Sequence, residues 1–124
     1  MQKNVLVVDN HPEIRNLMVE ILHKRGYQVS TEADGHDALT RFALDRPDLV
    51  ITSLAMPGLN GYQLCRLIRG ISSVPVLIMS AQKGVEEKAY EMGADAFVSK
   101  PFDMEALWAE IDELLLDTCR LTND

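Results

Sequence analysis

Short apolar runs alternate with longer stretches of helical period along the whole chain, and this alternation constrains the fold more than any other feature of the sequence. The strand-like runs are Val5–Val8, Tyr27–Ser30, Leu49–Thr52, Val76–Met79 and Ala96–Val98. Between them apolar side chains recur three and four residues apart: Ile14, Leu17, Met18, Ile21 and Leu22; Ala38, Leu39 and Phe42; Leu64, Cys65 and Ile68; Val85, Ala89 and Met92. A last set, Met104, Leu107, Trp108, Ile111, Leu114 and Leu115, closes the series. Such spacing places each set on one face of a helix. Strict strand–helix alternation implies parallel strands joined by right-handed crossovers, with helices on both faces. The first, third and fourth runs are apolar at successive positions, which suits central strands covered on both sides. The expected fold is α/β: a doubly wound, five-stranded parallel sheet in three layers.

Local punctuation agrees with the periodicity. Pro12 fits the first turn of helix one, where its missing N–H does no harm. Lys24-Arg25-Gly26 supplies cationic last-turn residues and a glycine cap. Asp34, Asn60 and Asp103 stand where N-caps are needed, and Gly70 and Gly93 where helices end.

Composition narrows the function classes. The 124 residues carry 12 Lys+Arg against 19 Asp+Glu, a net charge of −7, with 47% hydrophobic residues. One domain of this length makes a core without a metal or disulfide staple. No cluster of Lys and Arg marks a phosphate-backbone footprint, so direct nucleic-acid binding is not expected. Cys65 and Cys119 form neither a disulfide framework nor a metal spacing, and His11, His23 and His36 share none either. No apolar run approaches the length of a membrane span, and Met1–Asn4 lead straight into the first strand rather than into a signal peptide. A cytoplasmic protein is expected, with one domain over residues 1–118 and a tail or linker beginning over 119–124.

In doubly wound sheets the functional crevice lies at the carboxyl ends of the strands, beside the switch in strand order. Strand one ends there in Asp9-Asn10, strand three in Ser53 before Leu54-Ala55-Met56-Pro57-Gly58, strand four in Ser80-Ala81, and strand five in Lys100-Pro101-Phe102. A carboxylate, two hydroxyls and an ammonium therefore converge on one rim. This pattern suits a phosphate or a small cation.

These residues, in this order and at this spacing, resemble the receiver domain of bacterial two-component response regulators, with the flavodoxin-like fold of single-domain chemotaxis regulators. The stretches that carry the resemblance are Val5–Asp9, Arg46–Ile51, Met56-Pro57-Gly58 with Gly61-Tyr62, Pro75–Ala81, Gly93-Ala94-Asp95 and Lys100-Pro101-Phe102. The resemblance implies phosphoryl transfer from a kinase phosphohistidine to an aspartate at the end of strand three, assisted by magnesium. It implies a phosphate-pocket role for Lys100, a switch pair in Ser80 and Phe97, and a cis bond at Lys100-Pro101. Asp9, Asn10 and the Ala55 carbonyl match the magnesium ligands.

Two positions depart from that pattern. Ser53 stands at the phosphoacceptor position, and a serine hydroxyl is a poor nucleophile unless a neighbouring base activates it. Asn10 removes a second carboxylate, leaving Asp9 as the one matched acid opposite Lys100. Magnesium favours carboxylates and gives up its waters reluctantly, so the implied site is degenerate and weak, and no other cofactor is expected. Lys100 is expected to pair with Asp9.

The leading expectation is a non-enzymatic, receiver-like interaction module of phosphorelay signalling that works without its own phosphorylation. The alternative is an active receiver phosphorylated at Ser53 or at a substitute acceptor, with magnesium. A flavodoxin-type mononucleotide binder is weaker, because no phosphate-cradling loop follows strand one. By resemblance the partners are proteins: a histidine kinase, an output domain or another regulator. A homodimer through helix four, strand five and helix five would use Glu86, Glu87, Lys88, Tyr90, Trp108 and Glu110.

Overall fold

Five parallel strands, β1 (Asn4–Val8), β2 (Gln28–Glu32), β3 (Leu49–Ser53), β4 (Val76–Ser80) and β5 (Ala96–Ser99), pair in the order β2-β1-β3-β4-β5. They alternate with α1 (Pro12–Lys24), α2 (Gly35–Asp45), α3 (Gly61–Arg69), α4 (Glu86–Glu91) and α5 (Met104–Asn123). This computed structural model describes residues 2–101 and 103–123, with side chains of the last helix as far as Leu115. Helix α5 runs through the residues expected to begin a tail; Phe102, Asp124 and the side chain of Cys119 lie outside what is described.

Successive residues of the central strands feed two different cores, as period-two geometry demands. Leu6, Val8, Val50, Val76 and Ile78 pack with Ala38, Phe42, Leu64, Cys65, Ile68 and Ala89 of α2, α3 and α4. Val5, Val7, Leu49, Ile51, Leu77 and Met79 pack with Met18, Leu22, Leu107 and Ile111 of α1 and α5. The three runs read as central are central, and β2, whose residues are exposed or half-buried, forms an edge. Its bounds differ from the expectation. The Tyr27 N–H donates to Leu22 O, closing the end of α1, so the strand begins at Gln28 and extends to Glu32.

The caps act locally as their residue types require. Asp34 accepts from the Asp37 N–H, and Asp103 from the Glu105 N–H. Asn60 and Gln63 form a reciprocal capping box that starts α3. Pro12 opens α1, and Gly93 ends the α4 segment at φ +104, a region that glycine occupies without steric cost. Gly70 is different from expectation: it is an ordinary right-handed C-cap, because its N–H still reaches Arg66 O and the chain turns on without a left-handed residue.

Candidate functional site

The strand order reverses direction at β1, which lies between β2 and β3, and the carboxyl ends of β1 and β3 flank the resulting crevice. Gly61 lets α3 start directly against the end of β3. A Cβ there would sit 2.4 Å from Ser53 O and 2.8 Å from Leu54 Cα, both backbone atoms that cannot move aside. The Gly61 N–H donates to Leu54 O, fixing the loop that follows Ser53.

Asp9 is fully buried and both of its carboxylate oxygens are engaged. Oδ1 accepts from the His11 backbone N–H at 2.9 Å and lies 3.1 Å from His11 Nδ1. Oδ2 accepts from Lys100 Nζ at 2.8 Å. The same ammonium reaches Ser53 Oγ at 3.3 Å, so one lysine, delivered from the far end of the sheet, spans the carboxyl ends of β1 and β3. Its backbone is held by the Lys100 N–H, which donates to Ser80 O at 2.8 Å, and the Lys100-Pro101 peptide bond is cis. Ser80, buried like Ser53, accepts from the Gln82 N–H at 3.0 Å.

The expected residues therefore divide. Asp9, Lys100 and Ser53 meet in one cluster, and Ser80 holds the loop beside Lys100. Asn10 and Ala55 are exposed at the crevice mouth, where both line a cavity of 460 Å³ with Leu54, Met56, Pro57 and Tyr62. Phe97 stands apart, half-buried against the core on the α2–α4 side. Among the described residues no group of three or more His, Cys, Asp and Glu side chains is placed to hold a metal.

Two neighbours of the site are new. Arg15 Nη1 donates to Asp9 O from the first turn of α1, which brings a guanidinium to the backbone of Asp9 in addition to the Lys100 side chain at its carboxylate. Long helical side chains lean toward the helix N-terminus, so an arginine one turn into the helix after β1 was the available signal. Tyr62 is the other: its hydroxyl donates to Val85 O at 3.1 Å, tying α3 to the loop before α4, and Lys88 Nζ lies 5.2 Å from its ring centroid.

Of the residues expected on the face of α4, β5 and α5, Glu86, Tyr90 and Glu110 lie near one another, while Lys88 turns toward Tyr62 of α3. Burial raises the pKa of Tyr90, Glu86 and Glu110 add to the rise, and a hydrogen bond with the Phe97 backbone opposes it, so all three elements meet around this ring. Trp108 is a correction. Half-buried on the other side of α5, it carries the Arg25 guanidinium of α1 at 4.0 Å from its ring centroid and does not belong to that face.

A five-stranded, doubly wound parallel sheet with an acid–lysine pair across its switch-point crevice places the chain in the flavodoxin-like fold class. The sequence pattern of the response regulator receiver domain matches residues 5–112, and the chain belongs to that family. It is 40% identical over 119 residues to the probable transcriptional regulator ycf27 of Cyanophora paradoxa, covering 94% of this chain and 50% of that protein. To the DNA-binding response regulator MtrA of Mycolicibacterium smegmatis it is 35% identical over 113 residues, covering 90% and 50%. The chain thus spans about half the length of these curated relatives. Among solved structures, the chemotaxis protein CheY4 of Vibrio cholerae superposes with a TM-score of 0.86 at 30% identity, over 93% of this chain and 100% of that one. The N-terminal receiver domain of Klebsiella pneumoniae RstA gives 0.86 at 28% identity, over 90% and 97%.

Proposed function

We propose that this receiver domain of two-component signalling acts as a cytoplasmic protein-interaction module whose binding surface is complete without phosphorylation. The observation that carries the reading is the closed cluster Lys100–Asp9–Ser53 at the carboxyl end of β3. Where the family needs an ionised nucleophile, this chain presents a hydroxyl. Among the described residues no base is hydrogen-bonded to the hydroxyl: Lys100 is paired with Asp9, and His11 Nδ1 faces Asp9 Oδ1 rather than Ser53. Phosphorylation at Ser53 is disfavoured on the same ground, and the family relationship sets the mononucleotide reading aside.

Magnesium does not fit this donor set. Asp9 spends both carboxylate oxygens on protein donors, Asn10 is uncharged, and Ala55 has only its backbone carbonyl to offer. A hard dication would have to displace the Lys100 ammonium from its one carboxylate. Ser80 and Phe97 are accordingly read as a switch pair resting in one state, and Pro101 as part of the loop that sets Lys100.

The partner surface is read as the α4–β5–α5 face with Glu86, Glu87, Lys88, Tyr90 and Glu110, and its partners as a histidine kinase, an output domain, another regulator or a second copy of this chain. The domain is read as residues 1–118, although α5 runs on to Asn123. The name MtrA carries as a DNA-binding protein concerns a chain of which this one matches half. Two titrations test the reading. Magnesium at low millimolar concentration and neutral pH should show no specific binding, and partner binding or self-association should be the same with and without a small phosphodonor. Saturable magnesium binding abolished by Asp9→Ala, or association that appears only with phosphodonor, would contradict it.

A further inference from the structure

The sheet ends at β2 on an open edge. The Gln28 N–H donates to Lys3 O and the Asp9 N–H to Glu32 O, so the register with β1 turns the backbone groups of Gln28, Ser30 and Glu32 inward. Period two then turns those of Val29 and Thr31 outward, where no strand lies beside β2 and no protein group among the described residues meets them. Edge strands are ordinarily blunted by proline, lysine, a bulge or shortness. β2 is as long as the central strands, has no proline or lysine, and pairs with β1 without a break in register.

Neither flanking helix closes this edge. A cavity of 570 Å³ opens along it, bounded by Gln28, Val29 and Ser30 of the strand, His23 of α1, and Leu44 and Asp45 of α2. The Ser30 hydroxyl donates to Asp45 at 2.8 Å, which sets the last turn of α2 over the middle of β2. Leu44, the neighbour of Asp45, therefore stands beside the free edge. At 74% exposure it is the most exposed large apolar side chain among the described residues.

We propose that a second copy of this chain adds to the edge, its β2 antiparallel to this one about a two-fold axis at Ser30. The strand is complementary to itself in that register. Val29 faces the partner's Thr31 and Thr31 the partner's Val29, so every outward N–H and C=O of both residues is bonded. Centred on Val29, the pairing would run back to Tyr27, whose N–H already donates to Leu22 O; centred on Thr31, it would run past Glu32 and out of the strand. Centred on Ser30, Gln28 lies opposite the partner's Glu32, an amide donor against a carboxylate. Leu44, level with Ser30, meets its own copy near the axis and covers it from water. Charge agrees: Lys24 and Arg25 precede β2, Asp34 and Asp37 follow it, and the antiparallel arrangement sets unlike ends side by side. Such an isologous contact closes as a dimer. It uses the edge opposite to β5 and leaves the α4–β5–α5 face of both copies open.

The test is sedimentation velocity of the whole chain over a concentration series, with amide hydrogen exchange read at both ends of it. The chain should pass from monomer to dimer as concentration rises, and exchange at Val29 and Thr31 should slow in step. Thr31→Pro removes an outward N–H that β1 does not use, a place where an edge strand tolerates proline, and Leu44→Glu sets two carboxylates at the axis. Each should leave only monomer with the circular dichroism of the wild type; if Thr31→Pro does not fold, the exposed positions 44 and 28 decide. Gln28→Lys puts a cation opposite the partner's Glu32 and should tighten the dimer several-fold, and Gln28→Glu should loosen it several-fold. A chain that stays monomeric at millimolar concentration, or a dimer that Leu44→Glu and Gln28→Glu leave unchanged, would overturn the proposal. Partner binding at the α4–β5–α5 face should be the same in Leu44→Glu as in wild type, so the two readings fail separately.

Discussion

At the scale of single residues, the account turns on Asp9 and Lys100, 91 positions apart in the chain and 2.8 Å apart in the fold. Asp9 is completely buried and Lys100 partly so, and removing one charge strands the other. Asp9→Ala should cost about 1–3 kcal/mol in denaturant unfolding, and Asp9→Ala/Lys100→Met should recover part of it; strictly additive losses in the double-mutant cycle would rule out the pairing. Cys65 makes a second residue-scale prediction. Burial pushes its thiol up to about 11 from an ordinary 9.0, with Arg69 opposing the rise. A raised acid favours the protonated form in the folded state, so its contribution is fully present below pH 9.0 and is lost as the pH climbs from there toward about 11. Alkylation at pH 8 should accordingly be slow at Cys65 in the native protein and fast once it unfolds. The residues that end each strand were legible in sequence as candidates for one rim. Their pairing was not, because it depends on how far a lysine reaches across two strands. Arg15 offered only its place one turn into α1 as a signal, since the backbone carbonyl that it meets carries no mark of residue type.

At the scale of elements, the start of α3 is where sequence and site are most tightly joined. Asn60→Ala should cost about 1 kcal/mol through the lost capping box. Gly61→Ala should cost about 1–3 kcal/mol, since its Cβ would press on the backbone of Ser53 and Leu54. It should also disturb the amide signals of both residues, which Asn60→Ala should leave nearer their places. The central strands could be recognised because they are buried on both faces and therefore apolar without interruption. The edge strand β2 has Ser30, Thr31 and Glu32 facing partly outward, so its bounds were set by tertiary pairing that no local pattern announces. Trp108 shows the same limit on a helix. Periodicity grouped it with Leu107 and Ile111, where it packs, whereas the resemblance set it on the α4–β5–α5 face, and the Arg25 guanidinium of α1 over its ring shows the side of α5 that it serves.

At the scale of the whole molecule, a receiver that does not depend on phosphate must show its partners one standing surface. Lys88→Glu with Glu110→Lys should weaken partner binding or self-association, measured by ultracentrifugation or titration, with no dependence on phosphodonor. Unchanged association, together with loss on substituting exposed positions of α1, would place the surface elsewhere. The family and its sheet were readable from order and spacing along nearly the whole chain. What spacing leaves open is whether the chemistry survives, since that depends on one atom set at the end of β3. The direct measurement is intact mass after incubation with a small phosphodonor and magnesium, wild type beside Ser53→Asp. Ser53→Asp supplies an ionised nucleophile next to Lys100 and should gain about 80 Da as an acyl phosphate, and Ser53→Asp/Asn10→Asp should gain it more readily. The wild-type chain should gain nothing; labelling of wild type as readily as Ser53→Asp would contradict the account.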